Sequence, residues 1–165
     1  MGSNVLIRKW IALVLCSSCV AREPHVAPTV QWDIPVTTLD GRSVQLSTAV
    51  AHRPALLALW APWCDACRSE EPALERLGRA AAPRGGVVIG VAVGEPFLSV
   101  RSDLGRHPRT FLQLVDEPFA LEGSLGVHVL PTTLVLDQQG RIVHRGGTLD
   151  HAALAAFRGL LEDAE

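Results

Sequence analysis

Ala55 to Trp60 is an unbroken apolar run of strand length with no polar alternation, the pattern of a strand covered on both faces. Helical spacing follows directly, from Cys64 to Ala82 through Leu74 and Leu77, and Pro83, Gly85 and Gly86 stop it. Val87 to Val93 repeats the buried-strand pattern. A weaker helix is predicted within Phe97 to Arg106, a short strand at Phe111 to Val115, and a short helix from Ala120 to Leu125 ended by Gly126. Thr132 to Leu136 and Ile142 to His144 flank Asp137 to Gly140 and predict an antiparallel hairpin, followed by an amphipathic helix over His151 to Leu161. Ahead of all this, Gln31 to Thr38 and Val44 to Leu46 flank the turn signal Asp40-Gly41 and predict a leading hairpin. Strands separated by helices and closed by an antiparallel pair imply an α/β fold, a mixed central sheet flanked by helices with an added N-terminal β-hairpin.

With 165 residues, 48% of them hydrophobic and 19% charged, the chain can build one substantial core. A net charge of −2 with no basic tract offers nothing to a phosphate backbone, so no nucleic-acid partner is expected. Lys9 is the only lysine and tyrosine is absent, which leaves cysteine, histidine and carboxylate for chemistry.

Arg8 and Lys9 precede a short apolar run, Trp10 to Leu15, that Ser17 and Ser18 dilute. The run is shorter than the roughly 20 residues a membrane-crossing helix needs, so residues 1–21 read as an export signal. The competing reading is a lipoprotein signal with Cys19 as the lipid-bearing residue, although Cys16 stands where an aliphatic residue is usual. An uncleaved, buried N-terminal helix is the remaining alternative. Residues 22–29 then form a linker with two prolines, and 30–165 the folded domain, placed outside the cytoplasm.

Cys64-Asp65-Ala66-Cys67 falls where the first buried strand meets its helix. Unpaired amides and the positive end of the helix dipole favour a thiolate at Cys64. Two intervening residues bring Cys67 about one helical turn on, close enough for a disulfide. A structural zinc site competes weakly, since the only other CxxC spacing, Cys16 to Cys19, lies in the leader. A purely structural disulfide closing so short a loop would remove little entropy from the unfolded chain. A redox-active pair is the remaining reading, and exchange of this kind requires no metal and no other cofactor.

From Val30 to Leu161 the chain resembles the TlpA/ResA type of thioredoxin-like thiol-disulfide oxidoreductase. The likeness rests on Leu39-Asp40-Gly41, on Trp63-Cys64-x-x-Cys67-Arg68-x-Glu70-x-Pro72, and on Gly126 to Thr133. It implies a thioredoxin-like fold with a cis-proline at Pro131 facing the cysteines, where spacing alone reads equally as an ordinary turn proline. A cis bond there would free the Leu130 backbone to pair with an extended substrate segment. It also implies an active-site role for Glu70, three residues beyond Cys67, whose solvated neighbours would be Glu71 and Glu75. Trp63 is expected on a partner-facing rim, Trp60 packed around the site, and His128 at the surface. Partners implied by the resemblance are disulfide-bearing exported proteins, apocytochrome c among them, and a membrane-embedded electron donor. Asp65 beside Cys64 opposes a thiolate and leans the pair toward a reductant. A thioredoxin-fold copper chaperone is the binding-module alternative, and a net oxidase or isomerase would use the same cysteines.

Overall fold

The computed structural model describes residues 33–163. The leader, the linker and Cys19 lie outside them. The strands are β1 (Pro35–Thr38), β2 (Ser43–Gln45), β3 (Ala55–Trp60), β4 (Val87–Val93), β5 (Leu112–Asp116), β6 (Thr132–Leu136) and β7 (Ile142–Gly146). The helices are α1 (Leu46–Val50), α2 (Asp65–Ala81), α3 (Phe97–Arg106), α4 (Ala120–Leu125) and α5 (His151–Glu162). All seven strands join one sheet in the order β2-β1-β5-β4-β3-β6-β7.

β3, β4 and β5 run parallel, and β6 and β7 return antiparallel beyond β3. At the other end β1 pairs antiparallel with β5 and carries β2, so the leading hairpin extends the main sheet. Every residue of β3 and β6 is buried, and β3 accordingly reads as a continuous apolar run. Alternation along β3 divides the core. Leu57 and Leu59 pack with Leu46, Val50, Leu121 and Leu125 from α1 and α4, while Leu56 and Ala58 pack with Leu74, Leu77, Ala153 and Phe157 from α2 and α5.

The departures from the sequence pattern are local. Leu46 opens α1 instead of closing a strand, and this five-residue helix has no side-chain cap to announce it. The first strand starts at Pro35, and β5 runs one residue later than its pattern, over Leu112–Asp116. α4 is capped from a distance: the buried Asp116 at the end of β5 accepts from Ala120 N–H and Leu121 N–H, both at 2.9 Å.

Phe157 is fully buried between α5 and the sheet. Phe157→Ala is expected to cost about 3–5 kcal/mol in denaturant unfolding, through lost transfer energy and the cavity left behind. Val143→Ala, at a position 48% exposed on the edge strand β7, should stay within about 0.5 kcal/mol of the parent.

Candidate active site

β3 ends at Trp60, and Ala61, Pro62 and Trp63 turn the chain into α2. Cys64 N–H donates to the Ala61 carbonyl at 3.0 Å, and the Cys64 carbonyl accepts from Arg68 N–H at 3.1 Å. Cys64 thus occupies the N-cap of α2, with φ −86° and ψ 94°. Its Sγ accepts from Cys67 N–H at 3.2 Å, the contact a serine or aspartate oxygen makes at an ordinary N-cap. Cys64 and Cys67 form a disulfide, with Cα atoms 5.3 Å apart. After reduction, the same amide and the helix N-terminus favour a thiolate at Cys64. Asp65, exposed in the first turn, is a negative charge beside it, weakened by solvent.

Cys67 borders a crevice of about 10 Å³, on the order of one water molecule. Its walls include Trp60, Glu70, Glu71, Arg109 and Pro131. The Leu130-Pro131 peptide is cis, as the resemblance implied. Glu70 Oε1 accepts from Leu149 N–H at 2.6 Å. Burial pushes the Glu70 carboxyl above its ordinary pKa, and the Leu149 hydrogen bond pulls partly the other way.

Glu71 and Glu75 are not the solvated carboxylates that spacing suggested. Glu71 is ion-paired with Arg109. Glu75 accepts from Thr110 N–H at 2.6 Å and from the Thr110 hydroxyl, and lies 3.3 Å from Arg79. Both carboxylates fasten α2 to the segment leading into β5. The Arg109 side chain is only 4% exposed, and its guanidinium stacks 3.6 Å from the centre of the Trp60 ring. Behind it lies the buried Asp103, 3.8 Å from Arg109, 3.6 Å from Arg68 and 3.2 Å from His107 Nδ1.

Trp63 is 67% exposed at the rim, and its indole N–H donates to Glu95 Oε1 at 2.6 Å. Leu130 is half-buried against the core. His128 stays at the surface, 3.3 Å from Glu122, and does not line the crevice. Arg109, Glu71, Asp103 and Glu95 escaped sequence reasoning. The one local signal was the spacing of Glu71, four residues beyond Cys67 and as well placed on the helix as Glu70. Among the described residues no group of three or more His, Cys, Asp and Glu side chains is arranged to hold a metal ion, and no helix is long and apolar enough to cross a membrane.

Comparison with known proteins agrees with this geometry. Residues 25–145 match the AhpC/TSA family. The thiol-disulfide oxidoreductase ResA of Geobacillus thermodenitrificans is 31% identical over 67% of this chain, and the match spans 63% of that protein's length. A DsbE homolog, a thiol:disulfide interchange protein of Paracoccus denitrificans, is 34% identical over 79% of this chain and 68% of its own. Among solved structures, MTB dsbF in mixed oxidized and reduced forms superposes with a TM-score of 0.66 at 25% identity, covering 80% of this chain and 97% of that one.

The raised Glu70 carboxyl has a signed consequence for stability. The folded protein holds this proton above the pH at which the unfolded chain, near 4.5, releases it. Stability therefore falls as pH rises from that value through the folded pKa, and the loss is complete above it. Glu70→Gln keeps an acceptor for Leu149 and removes the charge. In denaturant unfolding of the oxidised protein at a series of pH values, its stability relative to the parent should climb across this window and then level off. A difference independent of pH would contradict the assignment.

Proposed function

The chain belongs to the AhpC/TSA family, and on that premise we propose that it is an extracytoplasmic thiol-disulfide oxidoreductase that reduces disulfides of exported proteins, apocytochrome c among them. The observation that carries the reading is the Cys64 sulfur at the N-cap of α2, bonded to Cys67 beside the crevice that Glu70 and Pro131 share. Cys67, Glu70 and Pro131 line that crevice and Cys64 does not, which divides the labour between the sulfurs.

In the reduced protein the Cys64 thiolate attacks a partner disulfide. A Cys64–partner bond forms, the partner S–S bond breaks, and one partner sulfur leaves as a thiolate that takes up a proton. Cys67 then gives its proton to the Glu70 carboxylate and attacks Cys64 Sγ. The mixed disulfide breaks, the second partner sulfur leaves as a thiolate that takes up the proton Glu70 received, and the Cys64–Cys67 disulfide remains. Two electrons have passed to the partner. A dithiol donor, which the reading places in the membrane, returns the protein to its reduced state. The half-buried Leu130 and the cis bond after it offer backbone for an extended substrate strand, and exposed Trp63 supplies apolar contact. Attachment through a lipid on Cys19 would hold the domain near that donor, as an alternative to cleavage after the export signal.

One observation favours the opposite net direction: the Cys67 amide on Cys64 stabilises the thiolate, and a stabilised reduced form makes a pair more oxidising. The equilibrium reduction potential, titrated against dithiothreitol or glutathione, separates the two. A value near or below about −270 mV is expected for the reductase, and one near about −120 mV would make it an oxidase. Cys67→Ser should trap disulfide-bonded partners on Cys64 in cell-envelope extracts, and their absence would count against the mechanism. In single-turnover exchange, Glu70→Gln should slow the resolving step and flatten its dependence on pH. Unchanged rates would remove Glu70 from it.

A further inference from the structure

α2 sets two adjacent carboxylates beside Cys67, at three and four residues beyond it, and both border the same small crevice. Spacing does not choose between them. Their partners do: among the described residues Glu70 meets only the Leu149 amide, whereas Glu71 is ion-paired with Arg109. Arg109 is held from three directions, by Glu71, by the Trp60 ring at 3.6 Å and by buried Asp103 at 3.8 Å.

We propose that Arg109 is a positioning residue for disulfide exchange: by holding Glu71 in an ion pair against Trp60, it keeps a second uncompensated negative charge away from Cys67 and leaves Glu70 as the proton acceptor of the crevice. The inference rests on the role of Glu70 proposed above and adds the reason why its neighbour does not share that role.

The surrounding charges fit this assignment. On the α3 side, Asp103 is met by Arg68, Arg106 and His107 as well as Arg109, so no uncompensated carboxylate faces the crevice from there. Glu75, one turn further along α2, is taken up by Arg79 and Thr110. β3 and the cis-proline loop contribute Trp60 and Pro131, which carry no charge. On the α5 side, the segment carrying Leu149 leads into Asp150, which accepts from Ala153 N–H at 2.7 Å and lies 3.7 Å from His144. Removing Arg109 would set Glu71 free as a like charge beside Glu70 and Cys67, which raises the pKa of both proton-bearing groups.

The test is the pH profile of the resolving step, release of glutathione from the Cys64–glutathione mixed disulfide, in single-turnover oxidation of the reduced protein by oxidised glutathione. Arg109→Met should move the midpoint up by about one pH unit. Arg109→Lys, which keeps the charge, should stay closer to the parent. The double variant Glu71→Gln/Arg109→Met removes both charges and should return the midpoint toward the parent. Should Arg109→Met fail to fold, Glu71→Gln alone serves: it leaves Arg109 without its near carboxylate and should move the midpoint down. A double variant shifted as far as Arg109→Met, or a Glu71→Gln midpoint identical to the parent, overturns the proposal. Glu70→Gln run alongside separates the two readings. If it flattens the profile while the Arg109 and Glu71 variants leave the midpoint unmoved, the role of Arg109 falls and that of Glu70 stands. If it changes nothing, both fall.

Discussion

The rest of the site depends on one hydrogen bond, from the Cys67 amide to the Cys64 sulfur at the first turn of α2. An N-terminal helical amide needs an acceptor, and a cap is ordinarily an oxygen. Here the acceptor is the sulfur proposed to react, so the requirement that caps the helix also orients the sulfur and stabilises its charged form. The constraint is transmitted backward through Cys64 N–H to Ala61 and so to Trp60, the last residue of a strand buried along its whole length. β4 and β6 pin that strand from both sides. Rigidity at the junction therefore comes from the core, and the chemistry sits where the core ends.

A buried site must also control where its charges go. Two carboxylates beside a thiol are an electrostatic liability, because each ionised group makes ionising the next harder. The fold separates them by geometry. Glu70 turns toward the Leu149 amide, a neutral donor that leaves it able to take a proton, and Glu71 turns toward a buried guanidinium that stays charged. Burying Arg109 lowers its pKa through desolvation, and Glu71 and Asp103 offset that cost. The Trp60 ring beneath it links the charge cluster to the strand that carries the cysteines.

Most of the architecture was legible because its signals are local. β3 and β4 read as apolar runs because they are buried on both faces, and α2 and α5 announce themselves by spacing. α1 was not legible: five residues without a side-chain cap carry too little periodicity to distinguish them from the end of a strand. The cysteine pair needed only the strand-to-helix pattern, whereas the cis bond at Pro131 came from family likeness, since an X-Pro sequence does not reveal its isomer. Glu71 and Arg109 lie 38 residues apart and Arg109 meets Trp60 from another element. No window of sequence contains that contact. A helical carboxylate with two more glutamates near it on the same helix reads as solvated until the fold brings its partner in.

The burial of the disulfide constrains how a partner reaches it. Cys64 and Cys67 are 5% and 6% exposed, so a partner sulfur must be delivered by surface that fits around them. The exposed apolar residues nearest in sequence to the two halves of the site are Trp63, immediately before Cys64, and Val129, two residues before Pro131, at 67% and 68% exposure. Trp63 is not left to swing freely, because Glu95 in the loop after β4 accepts its indole N–H. An aromatic side chain held in this way presents contact area at little cost in rotamer entropy on docking. On the proposed function, recognition built from one fixed ring, one exposed valine and a stretch of backbone would say little about the partner's side chains, and discrimination would fall to whether a disulfide can be presented in an extended, accessible segment.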